Sequence, residues 1–238
     1  MILEGRNALN EALKGNITLE KVLVQKDHNP SLGRIIAEIR DRKIKLSYVD
    51  KSVLDKYSDT KNHQGIVAFA TDFEYCRLEE VLNARDEQKL IIILDGIEDP
   101  HNLGSIIRIA DSVNANGIII PKHRCCGVTD TVVKVSSGAA AHVKIAKVTN
   151  INDTIRQLKD MGIWVFAADM NGESLYKCDL TGDIALVIGG EGSGVHALTS
   201  KLADGIVSLP QLGKINSLNA AVAAGAILYE VIRQRMQQ

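Results

Sequence analysis

Leu90-Ile-Ile-Ile-Leu94 is an unbroken run of large aliphatic residues, and it limits the fold more than any other stretch of the chain. A strand with one wet face alternates apolar and polar residues. An unbroken apolar strand must be covered on both faces, as in a parallel sheet. Further strands are read at Gly117–Pro121, Val143–Ala146, Gly162–Ala168, Ile184–Ile188 and Gly205–Leu209. Helical spacing appears between them at Ser105–Ser112 and Ile151–Met161, and again in a final helix from Leu218 to Arg235. Strand alternating with helix in this way predicts an α/β domain built on a mostly parallel, doubly covered sheet.

Residues 1–73 read as a separate small α/β unit. Helices are expected over Asn7–Leu13, Ser31–Arg42 and Ser52–Tyr57, and strands over Glu20–Gln25, Lys45–Val49 and Gly65–Ala70. In the second helix Leu32, Ile35, Ile36 and Ile39 fall on the inward face. Residues 74–88 are rich in charge and poor in large apolar groups, so they are taken as the linker, and residues 89–238 form the second domain. The helix expected at Leu78–Asn83 fits either side of that boundary.

Net charge is −1, and residues 1–73 carry 12 Lys+Arg against 10 Asp+Glu. No global charge marks a nucleic-acid or membrane protein, so local patches matter more than the sum. Two patches stand out. Arg34, Arg40, Arg42, Lys43 and Lys45 cluster on a helix and its exit, which fits a solvated helix face or an RNA contact. Residues 122–147 hold Lys122, Arg124, Lys134, Lys144 and Lys147 against one acid, Asp130.

The four cysteines form no C-x-x-C pair and no zinc-finger spacing, which predicts reduced structural thiols and no metal. No secretory pattern opens the sequence and no apolar run approaches 18 residues, so a cytoplasmic protein without membrane spans is expected.

The strand at Ile184 runs into Gly189-Gly-Glu-Gly-Ser-Gly194, and the strand ending at Leu209 leads to Asn216, Ser217 and Asn219 at the start of a small-residue helix. Ser or Asn at a helix start serves as a cap, and the same exposed N–H groups can hold a polar ligand. The glycine loop is not G-x-G-x-x-G, and no G-K-[ST], H-E-x-x-H or G-x-S-x-G occurs. Dinucleotide, P-loop, zinc-protease and serine-hydrolase readings therefore fall away. Three polar-tipped loops remain, each after a buried strand: Asn102 with Arg108, Glu191, and Ser217 with Asn219. Ligands in open α/β sheets bind outside the carboxyl ends of the strands, so these loops should converge.

At these residues the chain resembles the SpoU (TrmH-type) RNA ribose 2′-O-methyltransferases of the SPOUT class. Asp99-Pro-His-Asn102-Leu-Gly104-Ser-Ile-Ile-Arg108-Ile-Ala110 resembles the first family motif. Gly189–Gly194 resembles the second, and Leu209-Pro210 through Ser217-Leu-Asn219 the third. Residues 1–73, ending in His63-Gln64-Gly65-Ile66-Val67-Ala68, are similar to the family's substrate-RNA-binding domain.

The resemblance implies a C-terminal trefoil knot, which connection rules alone do not suggest. It implies S-adenosylmethionine as cofactor, with backbone contacts near Gly189, Leu209 and Leu218. It implies an RNA partner, specifically a guanosine of large-subunit rRNA, with tRNA as the rival substrate. A non-catalytic RNA-binding or assembly factor on the same fold and a nucleotide-dependent enzyme on a generic α/β fold are the alternatives of other classes. The family arginine matches Arg108, which is expected to anchor the target phosphate and stabilise the developing 2′-alkoxide, because a guanidinium does not act as a neutral base. Glu191 is expected to orient it, Ser217 to complete the polar shell, and Asn102 and Asn219 to organise the loops. A homodimer held by the second domain is also implied, with residues 122–147 of one subunit framing the other's pocket.

Overall fold

The computed structural model describes residues 1–15, 17–58, 61–85, 88–192, 194–214 and 217–237. The chain begins β1 (Ile2–Glu4), α1 (Arg6–Lys14), β2 (Leu19–Gln25), α2 (Gly33–Asp41), β3 (Lys45–Val49), α3 (Lys51–Tyr57) and β4 (Ile66–Ala70). It continues α4 (Leu78–Leu82), β5 (Leu90–Asp95), α5 (Pro100–Ser112), β6 (Gly117–Pro121), α6 (Asp130–Val135) and β7 (Ile145–Val148). The remainder is α7 (Ile151–Asp160), β8 (Trp164–Ser174), β9 (Ile184–Gly189), α8 (Ala197–Leu202), β10 (Gly205–Ser208) and α9 (Ala220–Arg235).

Two compact units result. The first comprises residues 1–74 together with 128–142, and the second residues 75–127 with 143–238. The first is built on a four-stranded mixed sheet in the order β1-β4-β2-β3, in which only β2 and β3 run parallel. Strand β1 is absent from the sequence reading, because three residues carry no periodicity; its pairing of Ile2 with Phe69 on β4 creates it. His63, two residues before Gly65, is buried, and the bond it accepts at Nδ1 from Gly65 N–H leaves Nε2 to donate to Asp55 at 3.1 Å. The polar turn before β4 is thus pinned.

Residues 128–142 lie within the part assigned by sequence to the second domain, yet they pack in this first unit. Lys134 pairs with Glu4, the Asp130 carboxylate accepts the Ile2 N–H at 2.8 Å, and His142 meets Glu11 at 3.0 Å. Val132, Val133 and Ala139 to Ala141 are buried there. The basic stretch 122–147 is therefore divided. Lys134 belongs to the first unit, while in the second Lys144 approaches Glu80 at 3.7 Å and Lys147 lies 4.3 Å from the Tyr75 ring centre.

The second unit carries a six-stranded sheet, wholly parallel, in the order β10-β8-β9-β5-β6-β7. Ile91, Ile92 and Ile93 are all fully buried, so the doubly covered strand expected from the sequence is present. Helix α4 belongs to this unit, since Val81 and Leu82 are buried in its core and the Cys76 N–H bonds Ile145 O. Two boundaries differ from expectation by more than a turn. Helix α5 starts at Pro100 rather than Ser105, because the Asp99 carboxylate caps it through the His101 N–H at 3.0 Å and proline suits the first helical position. Strand β8 continues past Ala168 to Ser174, because β10 pairs first with Phe166 and Ala167 and then, after a register shift, with Glu173 and Ser174.

From β5 the chain moves outward through β6 to β7, then returns to lay β9 against the other side of β5. The connections after β5 and β9 therefore lead to opposite sides of the sheet, which makes a topological switch point where such sheets hold their ligands.

Candidate active site

The site is assembled by the carboxyl ends of β5, β9 and β10. Gly189 and Gly190 at the end of β9 are fixed by space. A Cβ on Gly190 would stand 2.1 Å from Gly96 O, and one on Gly189 would stand 2.0 Å from the Gly194 carbonyl carbon. No side chain fits either place, so the loops after β5 and β9 touch backbone to backbone, with Gly190 N–H bonding Asp95 O at 3.0 Å.

Asn102, in the first turn of α5, is buried, whereas Glu191 and Asn219 are exposed. The Asn219 Oδ1 accepts the Ala221 and Val222 N–H groups at 3.0 and 3.2 Å, capping α9. That choice turns its Nδ2 outward, where it donates to Asn102 Oδ1 and to Glu191 Oε1, each at 2.7 Å. Asn102 Nδ2 donates to the same Glu191 oxygen at 3.0 Å. The three polar loops thus close into one ring of hydrogen bonds, and Asn219 is both a cap and a member of the site.

Two clefts flank the ring. The larger, of about 680 Å³, is lined by Gly189, Glu191, Leu209, Ser217, Leu218 and Asn219 among others. Its apolar wall comes from Ile188, Val207, Leu209, Leu218 and Ile227. Asp169 and Asn171 also line it, and the sequence reading passed over them; polar residues directly after the strand at Gly162–Ala168 were the available signal. The smaller, of about 340 Å³, is lined by Glu98, Asp99, Asn102, Arg124, Glu191 and His196 with Gly96 and Ile97. The buried Asp95 supports His196 there, accepting its backbone N–H at 3.0 Å while the ring Nδ1 stands 2.9 Å from the carboxylate without hydrogen-bond alignment.

Arg108 is not brought into either lining. It is exposed on α5, six residues beyond Asn102 and so about 9 Å along the helix axis. Asn216 lies outside the described residues, as does Ser193 of the glycine loop.

Burial raises Cys76, Cys125, Cys126 and Cys178 above the usual thiol range, Cys125 to about 12, so none is a thiolate at neutral pH. Among the described residues no group of three or more His, Cys, Asp or Glu side chains forms a metal site, and no helix is long and apolar enough to cross a membrane.

In the first unit, Arg34, Arg40, Arg42, Lys43 and Lys45 are all exposed on α2 and its exit into β3. Arg42 pairs with Glu38 at 2.7 Å, and Arg40 donates to the Tyr48 hydroxyl at 2.9 Å.

Comparison with known proteins agrees with this arrangement. Residues 89–229 match the sequence profile of the SpoU rRNA methylase family, and residues 2–76 match that of the RNA 2′-O ribose methyltransferase substrate-binding domain. The chain is 42% identical over 236 residues to YacO of Bacillus subtilis, a protein assigned to the TrmH family of tRNA/rRNA methyltransferases; the match spans 97% of this chain and 94% of that one. Its fold matches the SpoU methyltransferase AviRb of Streptomyces viridochromogenes, solved with AdoMet, with a TM-score of 0.86 and 24% identity, covering 100% of this chain and 91% of that one. An AdoMet-bound rRNA methyltransferase of Sinorhizobium meliloti gives a TM-score of 0.83 at 25% identity, covering 98% and 86%. With three polar loops joined at the carboxyl ends of one parallel sheet and a family match over most of its length, this chain belongs to the SpoU rRNA methylase family.

Proposed function

We propose that the chain transfers a methyl group from S-adenosylmethionine to a ribose 2′-hydroxyl of RNA, the target being a guanosine of large-subunit rRNA. One observation carries the reading: the Asn102–Glu191–Asn219 ring stands between two clefts, with Glu191 lining both. The larger cleft suits the cofactor. Its volume lies within the range of about 300–1,000 Å³ usual for small-molecule sites, and one of its walls is apolar. The backbone of Gly189, Leu209 and Leu218, which line it, is placed to supply donors and acceptors for an adenine.

Bound there, the cofactor supplies an activated methyl group. The chain's own residues position the acceptor. Glu191 and Asn219, locked by the ring, fix the loops that border the ribose, and Ser217 adds a hydroxyl on the same wall. Asn102 holds Glu191 from the buried side. To Arg108, which lies outside both cleft linings, the family resemblance assigns the anchoring of the target phosphate and the stabilisation of the alkoxide as the 2′-proton leaves to phosphate or water, since a planar cation that never deprotonates serves that role better than a base.

The proposal includes the threaded C-terminal passage that the family resemblance implies, and a homodimer. Support for the dimer comes from α9, where Val222, Ala226, Tyr229, Arg233 and Met236 are exposed at positions i, i+4, i+7, i+11 and i+14. That is a seam of the kind helices use to pair.

Mapping 2′-O-methyl groups in rRNA and tRNA from cells with and without the gene tests the reading. Loss at one large-subunit guanosine is expected. Loss in tRNA alone would overturn the substrate, and no loss in any RNA would overturn methyl transfer.

A further inference from the structure

The basic patch on α2 and β3 has aromatic rings in its midst, which its charges alone did not announce. Tyr48 is 40% exposed on β3, an edge strand of its sheet. The His28 ring lies 5.8 Å from it, centre to centre, tilted by 33°. Both rings are held in place. Arg40 Nη2 donates to the Tyr48 hydroxyl at 2.9 Å. His28 Nδ1 stands 3.1 Å from Gln25 O and 3.3 Å from Lys26 O; carbonyls only accept, so Nδ1 carries the proton and the ring is oriented by backbone.

Between Arg34 and Lys45 five cations face two carboxylates, Glu38 and Asp41, and Glu38 is already paired with Arg42. A cationic surface with no rings would read phosphate only, and would take duplex and single strand alike. An exposed Tyr ring, a half-buried His ring and a guanidinium plane add what unpaired bases stack on, and a duplex keeps its bases from them. Rings fixed in advance lose little freedom on binding.

We infer that Tyr48, with His28 and Arg40, is a stacking site for an unpaired base of the RNA substrate, flanked by phosphate contacts from Arg34, Arg42 and Lys43. The inference rests on the RNA-methyltransferase reading and deepens it: the first unit takes a single-stranded segment, a loop or bulge, rather than a helix.

Fluorescence anisotropy with the full chain tests it, using an unstructured RNA oligonucleotide and a blunt RNA duplex of equal length. Tyr48→Leu should weaken binding of the unpaired RNA by about 5-fold or more, as loss of one base stack does, and leave the duplex unchanged. Its salt dependence should match the wild type, whereas Lys43→Ala should lower the log–log salt slope on single strands by about 0.7. Tyr48→Phe, which keeps the ring, should bind within about 2-fold of wild type, the loss of one exposed hydrogen bond being small. If Tyr48→Leu unfolds the unit, His28→Ala takes its place with the same expectation. Equal weakening on both RNAs, or none on either, overturns the stacking site while leaving the enzyme reading intact. A wild-type chain that binds neither RNA overturns both.

Discussion

Replacing Asn219 by alanine removes the cap of α9 and opens the hydrogen-bond ring in one step. Loss of the two bonds from Ala221 and Val222 costs about 1 kcal/mol, the usual value for an N-cap asparagine. Asn102 is buried, and its Oδ1 loses the 2.7 Å donor, which adds about 1–3 kcal/mol. Glu191 is exposed, so water replaces the third bond at little cost. The sum is roughly 2–4 kcal/mol, which for a chain of this size lowers Tm by roughly 5–15 °C. Asn219→Ser separates the two roles. Serine caps as well as asparagine does, but its side chain is too short to span to Asn102 and Glu191. The serine variant should therefore melt about 2–4 °C above the alanine variant, the worth of the cap alone. Both variants should lose methyl transfer, because neither restores the ring. Thermal melting and transfer of labelled methyl to RNA measure the two effects separately. Identical melting of the two variants would refute the cap energetics, and full turnover by Asn219→Ser would refute the role of the ring.

Arg108→Ala should lower methyl transfer by about 100-fold or more while S-adenosylhomocysteine binding, followed by calorimetry, stays unchanged; equal loss of both would move Arg108 into the cofactor cleft. Arg108→Lys should fail as well, because a point ammonium lacks the planar fork. Tyr229→Glu places a charge at the centre of the exposed α9 seam and should yield monomers in sedimentation, and a wild-type protein sedimenting as an active 25.9 kDa monomer would end the dimer proposal. Arg233 and Gln234 hydrogen-bond the buried Glu230 carboxylate and hold its pKa at about 2, against an ordinary 4.5. A depressed pKa contributes stability that is fully present above 4.5 and is lost as pH falls toward 2, so Glu230→Gln should flatten the acid limb of stability in that window; an unchanged limb in acid melts would contradict it.

The second unit was the more legible from sequence. Leu90–Leu94 and Ile184–Ile188 announce covered strands through their own composition, and Asn102, Glu191 and Asn219 stand out as polar groups that end apolar runs. Helix α5 is half legible: its apolar spacing shows from Ser105 onward, whereas its first turn is marked only by Asp99-Pro100, a pair that favours a helix opening. Tyr48 and His28 were missed. Twenty residues separate them, and nothing local marks two surface rings as neighbours.

The sequence by itself determined the class of sheet, the order of its strands and helices, and which loops carry polar groups, because each follows from residues within a few positions of one another. Tertiary structure alone decided the rest. Asn102 meets Glu191 across 89 residues and Asn219 across 117, and no periodicity encodes such a meeting; the parallel order β10-β8-β9-β5-β6-β7 brings those strand ends together. The same holds for Val128–His142, whose buried Val132, Val133 and alanines fit either unit by composition. They pack with residues 1–74 because Lys134 finds Glu4, His142 finds Glu11 and Asp130 accepts the Ile2 N–H, pairings more than 120 residues apart that exist only once the chain has folded.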